Sequence, residues 1–348
     1  MSAVAVSCVF FGCQANLYFL ELLVSHPEGK SIGAALTLVQ FVAVFFVYLP
    51  FLFQLQWHEP WVLRLRPLRL RKVLLLYFSL LFVVSSTLNN IVFQFDISVP
   101  VHTNFRSSSL VVNMLLGFFW LKKRYAVPQV VIAVILTVSV GILNVAIRKQ
   151  SSSNRERPQQ SGLLQAIIAW WPFDIVWLGV TLLAISTVAS AVMGIVQEIL
   201  LSQARMDDDA AAQKSTHRLK GKAAQPSPAL AWIELLALCH GFGAAFLMFS
   251  DGSSIVSALP KIISGDNLFG PMVANVMSQV VCVTGVYILS GKGSFVMTLV
   301  ITFRKFASLV LSVVVFEHYK TLGVVEWASI VVATLCGLIY PFIRKIEK

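Results

Sequence analysis

Ten apolar runs constrain this chain more than any other feature, because each is long enough, as a helix, to cross ~30 Å of hydrocarbon. They cover residues 4–23, 32–53, 73–95, 102–121, 127–147, 173–201, 229–249, 268–288, 295–316 and 322–342, here called spans one to ten. The runs are apolar all round rather than along one stripe, so most of the chain faces lipid or other buried helices. A composition of 57% hydrophobic and 12% charged residues, with a mean hydropathy of +0.79, excludes soluble enzymes and nucleic-acid binders. The expected fold class is an all-α membrane protein with ten transmembrane helices.

The first run has no basic n-region or small-residue cleavage site and carries Glu21 near its end, so it reads as a retained span. The formal charge of +11 divides unevenly. With both termini on the cytosolic side, 17 of the Lys and Arg residues fall in cytosolic loops, including Arg64, Arg66, Arg69, Arg71 and Lys72, and 7 fall opposite. That bias favours cytosolic termini. Residues 150–161 and 202–228 read as polar linkers, and Asp207, Asp208 and Asp209 read as a solvated run with no fold around them to support a metal. The five cysteines lie inside apolar runs without metal-ligand spacing and are read as packing residues. No N-glycosylation sequon occurs.

Three cations remain inside apolar runs: Arg106, Arg304 and Lys305. Each costs at least ~2.5 kcal/mol at the centre of a membrane helix, so each needs a reason to be there. Overlaying spans one to five on spans six to ten supplies one. Glu21 falls near Glu198, and the run Phe105-Arg106 followed by Ser109-Leu110-Val111 falls on Phe303-Arg304 followed by Ser308-Leu309-Val310. An odd number of spans per half inverts the second copy, giving two five-helix inverted repeats, 1–147 and 162–348, joined by the linker 148–161. A two-fold axis then brings the cations to one central cavity.

Two readings of those charges stand open. Glu21 and Glu198 neutralise the cations in structural ion pairs, or the positive excess holds a doubly anionic ligand, Arg by paired donors and Lys as a point charge. The second reading points to a pyrophosphate, with Ser109 and Ser308 adding hydroxyls. Asn89 and Asn90 in span three, and Asn275 and Gln279 in span eight, occupy corresponding elements of the halves and join the candidate substrate-binding set. That set is Arg106, Arg304, Lys305, Glu21, Glu198, Asn89, Asn90, Asn275, Gln279 and Ser308, with no catalytic residue, metal or cofactor. Gly117, Gly291 and Gly293 are candidate flex points, with packing as the other reading.

Several motifs together resemble the nucleotide-sugar transporters of the drug/metabolite transporter superfamily, nearest the UDP-N-acetylglucosamine/UDP-xylose group. They are Phe11-Gly12-Cys13-Gln14-Ala15-Asn16 with Phe19-Leu20-Glu21-Leu22-Leu23, Pro100 to Ser107, Lys122-Lys123-Arg124-Tyr125, Gln197-Glu198, and Thr302-Phe303-Arg304-Lys305-Phe306. The resemblance runs over nearly the whole chain. It implies a non-enzymatic exchanger of Golgi or endoplasmic reticulum membranes that trades a cytosolic UDP-sugar for lumenal UMP, binding no nucleic acid, with dimerisation left open. By the same resemblance, Arg106 and Lys305 hold the phosphates. Span seven departs from the family, with Leu238-Cys239-His240 where relatives carry Phe-Tyr-Asn. The alternatives are an exporter of another phosphorylated metabolite, a non-transporting scaffold and a membrane-embedded glycosyltransferase.

Overall fold

A computed structural model describes the chain except for residues 1, 27–28, 57–61, 93–108, 120–121, 123, 151–174, 219–228, 265–267, 291–299, 302, 305–306, 309–310, 312–313, 316, 318–319, 321–322 and 340–348. Among the described residues, six helices are long and apolar enough to cross a membrane: Ala3–Ser25, Ile32–Leu52, Lys72–Asn89, Trp177–Asp207, Ala231–Ala258 and Phe269–Ser290. They coincide with spans one, two, three, six, seven and eight. The other four runs are helical where described, over Ser109–Phe119, Val127–Gln150, turns between 300 and 315, and Val324–Ile339.

The helices pack in pairs. Span one lies on span eight, two on seven, three on six, and five on ten. Span three also touches seven, span two touches eight, and the helix 109–119 of span four touches six. Glycines set the closest approaches. A Cβ on Gly243 would sit 2.8 Å from the Phe41 ring and one on Gly241 2.7 Å from Phe45, so only glycine lets span seven settle on span two. One buried cluster, including Val44, Phe78, Leu200, Leu235 and Leu236, joins spans two, three, six and seven. A second, including Leu23, Leu36, Phe41, Leu247 and Val276, joins spans one, two, seven and eight.

Four expectations change. The chain is not wholly helical: after span two, a turn at Leu49–Leu52 leads into a small antiparallel hairpin of β1 (Phe53–Gln56) and β2 (Val62–Leu65), with Phe53 opposite Leu65. Arg66 closes it by donating Nε–H to the Phe53 carbonyl at 3.1 Å. The polar stretch after span six is not linker throughout, because the helix Ile175–Arg218 continues well past Leu201. That extension contains Ala, Gln, Arg and Met and no Gly or Pro, so helix propensity persists where hydrophobicity ends. The helix of span seven likewise runs to Ser264 across a kink at Asp251. Finally, Cys13 and Cys282 are not separate packing residues but a disulfide, Cα atoms 4.6 Å apart, joining spans one and eight. Local spacing could not reveal a pairing between residues 269 positions apart. Cys8, Cys239 and Cys336 are free.

Candidate functional site

Span one supplies polar residues that reach spans eight and nine. Its helix is interrupted by a π-turn at Cys8–Gly12 before continuing as Cys13–Ser25. Such a turn shifts the face that following side chains present. Gln14, just past it, bridges one turn of span nine: its Nε2 donates to the Arg304 carbonyl at 3.3 Å and its Oε1 accepts from the Ser308 hydroxyl at 2.7 Å. The backbone carrying Arg304 is therefore tied to span one.

Asn16 serves the neighbouring helix. Asn16 Nδ2 donates to the Asn275 carbonyl at 3.0 Å, and Asn275 Nδ2 donates to the Asn16 carbonyl at 2.8 Å. Gln40 of span two completes the knot by donating Nε2–H to Asn275 Oδ1. In hydrocarbon an unpaired amide has no water to turn to, so such closed knots define which helices adjoin.

The other candidates distribute as follows. Asn89 accepts from the Ser186 hydroxyl at 2.8 Å, beside a Ser85–Ser190 hydroxyl pair at 2.6 Å between spans three and six. Glu21 is buried and Glu198 exposed, so the two corresponding carboxylates do not share an environment. Gln279 is half-buried. Arg106, Lys305, Ser109's side chain and Asn90's side chain lie outside the described residues, as do Gly291 and Gly293. Gly117 abuts the Tyr125 hydroxyl, where an added Cβ would clash at 2.0 Å, which fits its packing reading. Burial raises the pKa of that Tyr125 hydroxyl, which lies between spans four and five. No group of three or more metal-ligating side chains occurs among the described residues.

In span seven, His240 is buried with its ring against Phe82 and Phe41, centroids 4.8 and 5.3 Å away, and Nδ1 beside the Leu236 carbonyl at 2.8 Å. Cys239 lies against the Tyr287 hydroxyl. His240 thus sits where span seven meets spans two and three, and Cys239 faces span eight.

Sequence reasoning passed over Glu234. Its buried carboxylate accepts the backbone N–H of Arg69 at 3.1 Å and of Leu70 at 3.3 Å, ahead of the helix Lys72–Val92. The signal was present, a single acid in an otherwise apolar run, and helix starts leave unpaired donors for such a group to satisfy. Arg205 mirrors it by donating Nη2–H to the Ser290 carbonyl at 3.2 Å, where the helix of span eight ends.

The UAA transporter family model matches residues 1–212 and 230–341. The chain is 30% identical to a zebrafish (Danio rerio) protein named UDP-xylose and UDP-N-acetylglucosamine transporter, covering 97% of this chain and 92% of that one. It is 31% identical to mouse (Mus musculus) Nucleotide sugar transporter SLC35B4, covering 99% and 94%. The Drosophila melanogaster Endoplasmic reticulum GDP-fucose transporter is 28% identical, covering 90% and 83%. Helices long and apolar enough to cross a membrane, polar knots between them and a family match over most of the chain agree, and the chain belongs to the UAA transporter family.

Proposed function

We propose that the chain exchanges a cytosolic UDP-sugar, UDP-N-acetylglucosamine or UDP-xylose, for lumenal UMP across a Golgi or endoplasmic reticulum membrane, with both termini cytosolic. The substrate class is taken from the zebrafish relative. The arrangement is ten helices in two inverted five-helix repeats working by alternating access.

The observation that carries this reading is the pattern of helix pairs. Replacing each span by its counterpart five positions along turns the pair one/eight into six/three, the pair three/seven into eight/two, and the pair four/six into nine/one. Two/seven and five/ten map onto themselves. An inverted two-fold repeat requires a set of contacts closed under that exchange, and transporters built this way bind substrate near the midplane between the repeats.

Arg106, Arg304 and Lys305 then hold the phosphates. A bound nucleotide adds counter-charge beside these cations and lowers the cost of enclosing them, so the loaded carrier closes more readily than the empty one. Exchange is therefore favoured over return of the empty carrier. Liposomes containing the purified chain and preloaded with UMP should accumulate labelled UDP-sugar faster than empty ones, and the sugar should remain attached. Equal uptake into empty vesicles overturns exchange. Competition by GMP rather than UMP would turn the base assignment towards the Drosophila relative's named substrate.

A further inference from the structure

We propose that Cys13 and Cys282 form a redox-responsive staple that tunes anion affinity at the Arg304 segment, acting through Gln14. The inference rests on the reading that this segment binds a nucleotide phosphate.

The disulfide sits where spans one and eight come close together. A Cβ on Gly12 would lie 2.8 Å from the Cys282 backbone nitrogen, and one on Gly285 would lie 2.9 Å from the Ala5 carbonyl oxygen. The linkage therefore closes a contact already at backbone distance. Gln14 is the next residue after Cys13, and it holds both the Arg304 carbonyl and the Ser308 hydroxyl. Whatever sets the rotation and depth of Cys13 also sets that bridge.

The second half of the chain shows what this place in the fold needs without sulfur. Cys13 and Ser190 stand apart by the same number of residues as Glu21 and Glu198, and Cys282 and Ser85 by one fewer than Arg304 and Arg106. Ser190 and Ser85 meet at 2.6 Å in the three/six interface, the counterpart of one/eight. A hydrogen bond suffices there. The cysteines in the other interface add a bond whose presence depends on oxidant.

Closure takes a small hydroperoxide as oxidant. One thiolate attacks the peroxide oxygen, giving a sulfenic acid and, with a proton, one water from hydrogen peroxide. The partner sulfur then displaces the sulfenic hydroxyl, which leaves as a second water, so two thiols and one peroxide become a disulfide and two waters. Two equivalents of a small thiol reverse it by exchange and leave as their own disulfide. With the pair reduced, span one shifts more freely, the Gln14 bridge is made a smaller fraction of the time, and apparent affinity falls by that fraction.

The test uses the full chain in lipid nanodiscs, with thiols counted by maleimide mass-tagging after denaturation and UMP binding measured by calorimetry. After peroxide treatment three thiols should react, and five after reduction by tributylphosphine. UMP Kd should rise about three- to tenfold on reduction. C13S and C282S should show the weakened Kd with no response to phosphine. Q14A should bind weakly with its disulfide intact. Five reactive thiols after peroxide, or a Kd indifferent to redox state in the wild-type chain, overturns the staple. Absence of UMP binding in both states overturns the exchange reading and this coupling with it, while the thiol count still reports the disulfide.

Discussion

Asn16 and Asn275 each donate a side-chain amide to the other's backbone carbonyl, a reciprocal pair that locks the middle of span one to span eight. Neither residue can leave without stranding a polar group of its partner. Asn275→Ala removes two of the three contacts in this knot, the donation to the Asn16 carbonyl and the acceptor for Gln40, and leaves its own backbone carbonyl in place. Detergent-solubilised protein carrying it should lose about 1–2 kcal/mol of stability. A double-mutant cycle with Asn16→Ala should return a non-additive coupling, and strict additivity would contradict the pairing.

Glu234 anchors the entry to span three from inside span seven. Glu234→Ala leaves the Arg69 and Leu70 amides without their acceptor and should destabilise the chain by about 1–3 kcal/mol. Glu234→Gln keeps one carbonyl oxygen and should cost less. Hydrogen exchange should localise the loss to residues 69–73, and unchanged protection there would argue against the anchor.

At the crossing of spans two and seven, Gly243→Ala drives a methyl group into Phe41 and Gly241→Ala drives one into Phe45. Aromatic rings held by packing yield poorly, so each substitution should cost about 1–3 kcal/mol. Pairing Gly243→Ala with Phe41→Leu should recover part of the loss in a thermal-shift assay.

The proposed substrate contacts should respond differently from packing residues. Lys305→Ala and Arg106→Ala should each lower UMP-driven uptake by tenfold or more with little change in thermal midpoint. Arg106→Lys should recover only part of it, because a point charge lacks the paired donors of guanidinium. Full flux in Lys305→Ala would remove the phosphate assignment.

Much of this architecture can be read before folding, because a membrane helix announces itself by length and apolarity. Spans one, two, three, six, seven and eight fall where hydropathy puts them. What the chain conceals is pairing. Asn275 stands out in the sequence as a candidate ligand contact, but nothing there couples it to Asn16 and Gln40 until three helices bring them together. Cys13 and Cys282 carry no spacing that reports their bond, since the contact is made by tertiary packing. Glu234 was legible as a lone acid, but its partners are backbone amides, which have no sequence identity to search for. The helix to Arg218 was hidden for another reason: polarity reports contact with water and says little about backbone conformation. The hairpin strands, four residues each, are too short for alternation to stand out beside the long runs.

That same helix, Ile175–Arg218, continues beyond Leu201 for roughly 25 Å at 1.5 Å per residue, about the width of a small domain. It makes a mast rather than a tether. A fluorophore or a rigid fusion partner mounted near its tip would turn as span six turns, so a tilt of a few degrees inside the bilayer would become a displacement large enough for single-particle imaging or distance-sensitive spectroscopy to resolve.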